Sequence, residues 1–124
     1  MSSLGDVHSV WGWVAVSLLG LAGLFGIVLS IIKRPPGRVF FTAAWSAMAA
    51  VLVQVALGLL AMNLEATNPG NQHVFYGVVI SFTLAFTYIY RSQLRRRPAL
   101  YYGLLMLFVM GLGLRGIMTF GKSF

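Results

Sequence analysis

Long apolar runs separated by short polar breaks dominate this chain. Four runs cover about residues 8–32, 39–62, 73–90 and 99–120, and each approaches the roughly 20 apolar residues that a helix needs to cross a bilayer. None alternates strictly between polar and apolar positions as a membrane β-strand does, and a helix pairs its backbone groups within its own segment. The pattern therefore predicts an all-α, integral membrane four-helix bundle with up-down-up-down topology, formed by a single domain over residues 1–124.

The composition supports the same prediction. Hydrophobic residues make up 59% of the 124 residues and charged residues only 9%, whereas about a quarter of a soluble domain is charged. The first run lacks a basic n-region and a small-residue cleavage site, so we expect a retained helix and not a signal peptide. Because the sequence contains no cysteine, disulfides, a thiol nucleophile and covalent haem attachment are excluded.

The basic residues predict how the chain is oriented. Seven of the nine lie in the first and third breaks, at 33–38 and 91–98, whereas the middle break carries Glu65 and the N-terminal segment carries Asp6. The positive-inside rule places those two loops in the cytoplasm and both termini outside, in what we expect to be a bacterial plasma membrane. The arginines should contact anionic lipid; no soluble segment is large enough to bind nucleic acid.

A short internal repeat contains the only two histidines. Residues 8–12 read His-Ser-Val-Trp-Gly, and residues 73–77 read His-Val-Phe-Tyr-Gly. Each segment opens an outside-to-inside helix that ends at a basic Arg-Pro turn, as two repeated helical hairpins in parallel orientation would; a chance match is the alternative. The first and third helices of such a bundle lie on a diagonal, roughly 13 Å apart. Two imidazoles could therefore reach one iron from opposite sides.

We interpret His8 and His73 as candidate axial ligands of a b-type haem near the outer surface. Gly12 and Gly77 lie one turn further along the same helix faces, where a missing side chain leaves room for a macrocycle edge or a neighbouring helix. The alternative is that both histidines are interfacial polar residues at helix starts, with no cofactor. The residues leave both interpretations open.

Two further polar residues lie within apolar runs. Arg115 could pair with a haem propionate, a quinone carbonyl or a carboxylate of a partner subunit, or it could extend to the outer headgroups. Gln54 belongs to a stripe of small residues, where its amide could bond across a helix contact or meet a cofactor or quinone. Asp6 and Glu65 are the only acids; we expect both in solvent, and they are too few for a proton relay.

Residues 54–58 (Gln-Val-Ala-Leu-Gly), followed by an outer loop and by His73 at the start of the next helix, resemble one half of haem A synthase. Asp6 just before His8 is similar to the acidic residue and histidine of that family. The family's fold has two four-helix halves, each with a histidine pair near the outer surface. Diheme membrane cytochromes b have the same general arrangement of histidines within a helical bundle. The resemblance covers residues 6–90 through short motifs.

The chain also departs from that family. It is one half long, and aspartate stands where glutamate is expected. The resemblance therefore implies haem-b binding through His8 and His73 and does not extend to haem hydroxylation.

Two functional hypotheses result. The first is a small polytopic subunit associated with a respiratory electron-transfer complex, with one haem b between the two histidines and a quinone as a further partner. The second is a cofactor-free accessory or assembly subunit that packs against a larger energy-converting membrane complex. A transporter is less well supported, because one arginine and one glutamine within the spans are poor lining for an ion or solute path. An enzyme is less well supported because these residues form no serine–histidine–acid set or metal cluster.

Overall fold

Four long helices make up most of the structure, a computed structural model that describes residues 4–65 and 68–123. They are α1 (Leu4–Ile31), α2 (Arg38–Leu64), α3 (Asn71–Ile89) and α5 (Pro98–Met118), with a single-turn helix, α4 (Arg91–Leu94), before the last. The described residues contain no strand, so the predicted all-α class is confirmed. All four long helices are long and apolar enough to cross a membrane, as expected for an integral membrane protein.

The helices differ from the predicted runs mainly at their ends. α1 begins at Leu4, four residues before its predicted start, and α3 begins at Asn71, two residues before its predicted start. Both helices continue into polar residues at the interface, where hydropathy no longer indicates a membrane span. α4 occupies the third break, and Pro98 then opens α5 at a position that tolerates a missing N–H. Residues 66–67 of the predicted outer loop lie outside the described residues, as do residues 1–3 and 124 of the predicted domain.

Contacts at one end of the bundle establish the up-down-up-down order. The starts of α1 and α3 meet the ends of α2 and α5, since His8 bonds to the backbone of Gln54 and His73 to that of Gly116. We call this the histidine end, and we call the opposite end, with residues 33–37 and 90–97, the arginine end. α1 contacts α5 and α2 extensively, α3 packs mainly on α5, and α2 barely touches α3. The described backbones of α1 and α3 make no close contact, as expected for helices that lie diagonally opposite each other in the bundle.

Glycines allow α1 and α5 to approach each other closely. A Cβ built on Gly26 would lie 2.6 Å from the carbonyl oxygen of Ala99, and one built on Gly103 would lie 3.0 Å from that of Gly23. Backbone is therefore packed against backbone near the arginine end. Such contacts stabilise helix pairs in lipid, where apolar burial alone supplies no drive for association.

Large apolar side chains cover the outside of the bundle. Leu21, Val39 and Ile31 are 69%, 74% and 73% exposed, and many others on every long helix are similarly uncovered. A soluble monomer rarely exposes contiguous apolar surface on this scale. Lipid tails are the environment in which such a surface is stable.

Candidate functional site

The two histidines lie side by side at the histidine end. His8 is in the second turn of α1 and His73 in the first turn of α3. Their ring centroids are 5.8 Å apart, and the ring planes are nearly perpendicular at 83°. Both side chains are half-buried. Residues 65 positions apart in the sequence thus share one site, which we call the histidine pair.

Each imidazole is held by a backbone carbonyl of the helix beside it. The Nδ1 atom of His8 lies 3.0 Å from the carbonyl oxygen of Gln54 on α2, and the Nδ1 atom of His73 lies 2.7 Å from that of Gly116 on α5. A carbonyl only accepts hydrogen bonds, so Nδ1 must donate in both rings. The neutral rings consequently keep the Nε2 lone pair, the arrangement that metal-binding histidines typically show.

Glycine makes the first of these bonds possible. A Cβ built on Gly58 would lie 2.9 Å from Cε1 of His8. Gly58 is one helical turn after Gln54, and the Gln54 carbonyl points toward it along α2. Because Gly58 has no side chain, the imidazole can reach that carbonyl. The missing side chain at Gly58 therefore allows His8 to bond to α2.

Gln54 also binds the backbone of His8 with its side chain. Its Nε2 donates to the carbonyl oxygen of His8 at 2.7 Å, and the same atom is 3.5 Å from the His8 Nε2. Gly12 provides the space, since a Cβ there would lie 2.8 Å from the Gln54 Nε2. The Gln54 Oε1 atom is buried and has no hydrogen-bond partner among the described residues. The site thus contains one unused acceptor beside the histidine pair.

The other two predicted site residues lie around His73. A Cβ built on Gly77 would meet no atom within 4 Å, so this face of α3 is open. Arg115 is exposed on α5; its Nε donates to the Tyr76 hydroxyl at 3.4 Å, and its Cζ is 5.9 Å from the centre of that ring. Arg115 directly precedes Gly116, whose carbonyl holds His73. The guanidinium is therefore available at the rim of the site.

Two residues contribute to this end that the sequence did not single out as part of the site. Phe120 packs its ring against His73 with centroids 5.1 Å apart. The Trp11 indole N–H donates to the Ala50 carbonyl at 2.8 Å and fixes α1 on α2 one turn below His8. The position of Trp11 three residues after His8 in the repeat could have indicated that its indole lies near the site. No sequence pattern indicated that Phe120 would pack against His73.

Glu65 is exposed, as expected, and it also has a structural role. Its carboxylate accepts the backbone N–H groups of Leu4 at 2.9 Å and Gly5 at 3.0 Å. These are first-turn donors of α1 that lack a partner within the helix. A negative charge is also favourable near a helix N-terminus. Glu65 therefore joins the end of α2 to the beginning of α1, just outside the histidine pair.

Comparisons with family models, curated proteins and solved structures find no match to this chain. The chemistry of the site must accordingly be argued from its own residues.

The separation of the two imidazole rings can be compared with that of two axial ligands, although the His8 Nε2 lies against α2, 3.5 Å from the Gln54 amide nitrogen. An imidazole nitrogen binds a metal at about 2.0–2.1 Å, and the ring centre is about 1 Å further, so two imidazoles on opposite sides of one ion have centroids about 6 Å apart. The observed 5.8 Å is close to this separation. Two protein donors suit a metal whose remaining ligands belong to a macrocycle, as in a haem with two axial histidines.

Proposed function

We propose that this protein is a small membrane subunit associated with respiratory electron transfer and that it holds one b-type haem between His8 and His73. The observation that supports the proposal is the paired geometry of the imidazoles. Both rings are anchored through Nδ1 to a carbonyl of a neighbouring helix, and their centroids are 5.8 Å apart. The respiratory assignment follows from the resemblance of residues 54–58 and His73 to a haem A synthase half.

The surrounding residues would hold and tune the group. When bound, the haem supplies reversible one-electron transfer. The Nδ1–H bonds to carbonyls set ring orientation and raise the basicity of the liganding nitrogens. Arg115, with its exposed guanidinium beside Tyr76, is the cation that would bind a propionate. The open face at Gly77 leaves space for an edge of the macrocycle.

The proposed orientation places this site near the outer membrane surface. Seven of the nine basic residues lie in segments 33–38 and 91–98, and the positive-inside rule assigns such segments to the cytoplasm. Both termini and the histidine pair then belong to the outer side. The partners we propose are other membrane subunits and, as an electron carrier within the bilayer, a quinone.

Absorption spectroscopy of the purified protein tests the haem proposal. We expect protein purified in mild detergent, after incubation with haemin, to hold one haem per chain with a Soret band and a reduced α-band. His8→Ala and His73→Ala should each reduce haem affinity by more than about tenfold, because each removes an axial ligand. Gln72→Ala is the matched control, since Gln72 neighbours His73 but bonds to the Ser123 carbonyl.

Specific results would contradict this proposal. A chain that stays folded but shows no Soret band after incubation with haemin would do so, as would His73→Ala with full haem content. Restoration of the spectrum of His73→Gly by free imidazole would show that the lost group is a ligand and not a packing element.

The second hypothesis, a cofactor-free accessory subunit, is favoured by the weak contact between α2 and α3. These helices leave one side of the bundle nearly unclosed, where a helix of a larger complex could pack. Under this hypothesis, the protein should migrate with a much larger complex after mild solubilisation while His8→Ala leaves that association unchanged. A protein that migrates alone as a monomer or homodimer would contradict it.

A further inference from the structure

A second site lies at the arginine end, far from the histidine pair. A half-open cavity of about 220 Å³ lies between the first turns of α2, the short helix α4 and the start of α5. Its walls combine aromatic and basic side chains and consist of Phe41, Trp45, Arg91, Arg95, Pro98 and Tyr102. The function proposed above uses none of these residues.

Interlocking rings form the apolar wall of the cavity. The Tyr102 ring contacts both Phe41 and Trp45 edge to face, each with centroids 5.9 Å apart. Tyr102 is only 4% exposed, whereas Trp45 is 40% exposed and reaches the lipid-facing surface. Aromatic side chains of this kind favour the level of the headgroups in a membrane. The three rings therefore form one apolar wall, which we expect to lie at the level of the headgroups.

Two guanidinium groups form the polar side. Arg91 donates from Nη1 to the Tyr88 carbonyl at 2.7 Å, and its Cζ lies 4.1 Å from the centre of the Tyr88 ring. Arg95 follows at the end of α4, one turn further on. An arginine has five N–H donors, so the single bond to Tyr88 orients Arg91 and leaves donors for a ligand.

No carboxylate neutralises this charge. Asp6 and Glu65 are the only acidic residues of the chain, and both belong to the histidine end, where Glu65 binds the first turn of α1. The cavity is thus a positively charged recess with a hydroxyl, two guanidinium groups and an aromatic wall. An anion with an attached apolar portion is the chemistry that complements it.

We propose that this cavity binds the phosphate group of an anionic phospholipid. Guanidinium groups match the oxygen geometry of a phosphate, and basic recesses between membrane helices commonly bind anionic headgroups. A half-open cavity of about 220 Å³ has room for several water-sized groups and therefore for a phosphate, but not for the acyl chains of a lipid. The acyl chains lie outside, along the exposed apolar side chains of α2 and α5.

Lipid retention provides the test. Protein in mild detergent would be mixed with phosphatidylglycerol or phosphatidylcholine, and bound lipid counted by native mass spectrometry. We expect selective retention of phosphatidylglycerol by the wild-type chain. The double variant Arg91→Gln/Arg95→Gln should bind it at least about tenfold more weakly, since two charge-assisted contacts are lost. The matched control is Arg96→Gln/Arg97→Gln, which removes the same charge from the same segment outside the cavity.

Three outcomes would overturn the proposal. Equal loss in both double variants would mean that the charge of the segment attracts lipid without a defined site. Equal retention of the two lipids by the wild-type chain would remove the anionic specificity. Displacement of phosphatidylglycerol by millimolar inorganic phosphate would assign the cavity to a free anion.

Trp45→Leu, which keeps both arginines, should reduce phosphatidylglycerol retention without changing the helical circular-dichroism signal.

Discussion

The close contact between α1 and α5 gives a prediction that depends only on the fold. Gly26→Ala places a Cβ 2.6 Å from the Ala99 carbonyl oxygen, 2.8 Å from Cε1 of Phe40 and 3.0 Å from the Cα of Gly103. Ordinary contact begins at 3.4 Å, so the nearest approach is about 0.8 Å too short. Two of the three obstructing atoms are backbone. The helices must therefore separate or tilt, because no side-chain rotation can relieve the overlap.

The expected cost follows from overpacking. Forcing an extra methyl group into a filled contact usually costs about 1–3 kcal/mol, and 2 kcal/mol corresponds to about a 30-fold change in the ratio of folded to unfolded protein. Alanine is the better helix former by about 0.5–1 kcal/mol, which partly offsets this cost. Gly111→Ala measures that offset alone, since a Cβ at Gly111 in α5 would meet no atom within 4 Å.

Unfolding of detergent-solubilised protein by sodium dodecyl sulfate, followed by tryptophan fluorescence and circular dichroism, is a suitable assay. Gly26→Ala should unfold at a clearly lower detergent fraction than the wild type, and Gly111→Ala at an equal or higher one. If the two alanine variants unfold together, then α1 and α5 do not pack backbone to backbone, and the inferred contact is wrong.

Three smaller predictions concern the histidine end. Glu65→Gln should weaken the capping of α1 by about 1 kcal/mol, seen as severalfold faster amide exchange in its first turn; unchanged exchange would show that the carboxylate does not cap. Trp11→Phe loses the indole bond to Ala50 and should cost about 1 kcal/mol in the same unfolding assay; an unchanged midpoint would count against that bond. Gln54→Leu should leave stability within about 1 kcal/mol of wild type, since the unpaired Oε1 disappears with the bond to His8, and a larger loss would refute this balance.

The hydropathy pattern predicted the four membrane helices because lipid requires long, uninterrupted apolar helices. It placed their ends less well, as the polar start of α3 at Asn71 shows. The repeat and the alternating topology predicted that the two histidines would be near each other at one end. Binding of haem by His8 and His73 stays a prediction.

Other contacts could not be predicted, since they depend on how helices rotate and where loops return. Gly58 stands four residues after Gln54, which is a local signal for an accessible carbonyl. Nothing local indicated that His8 would be its partner. Glu65 reaches the start of α1 only because α2 continues to Leu64. The cavity at the arginine end likewise requires the turn α4, which no hydropathy pattern marks.

The extensive contact of α1 with α5 also has a consequence for biogenesis. Helices leave the ribosome in order, and domains are exposed to misassembly until their late elements arrive. During synthesis, the face of α1 at Gly23 would lack its partner until residues 98–118 are inserted, whereas Gly26 also contacts Phe40 of α2. A nascent chain that stalls after α3 would therefore present an unfilled helix face to the insertion machinery and to membrane proteases.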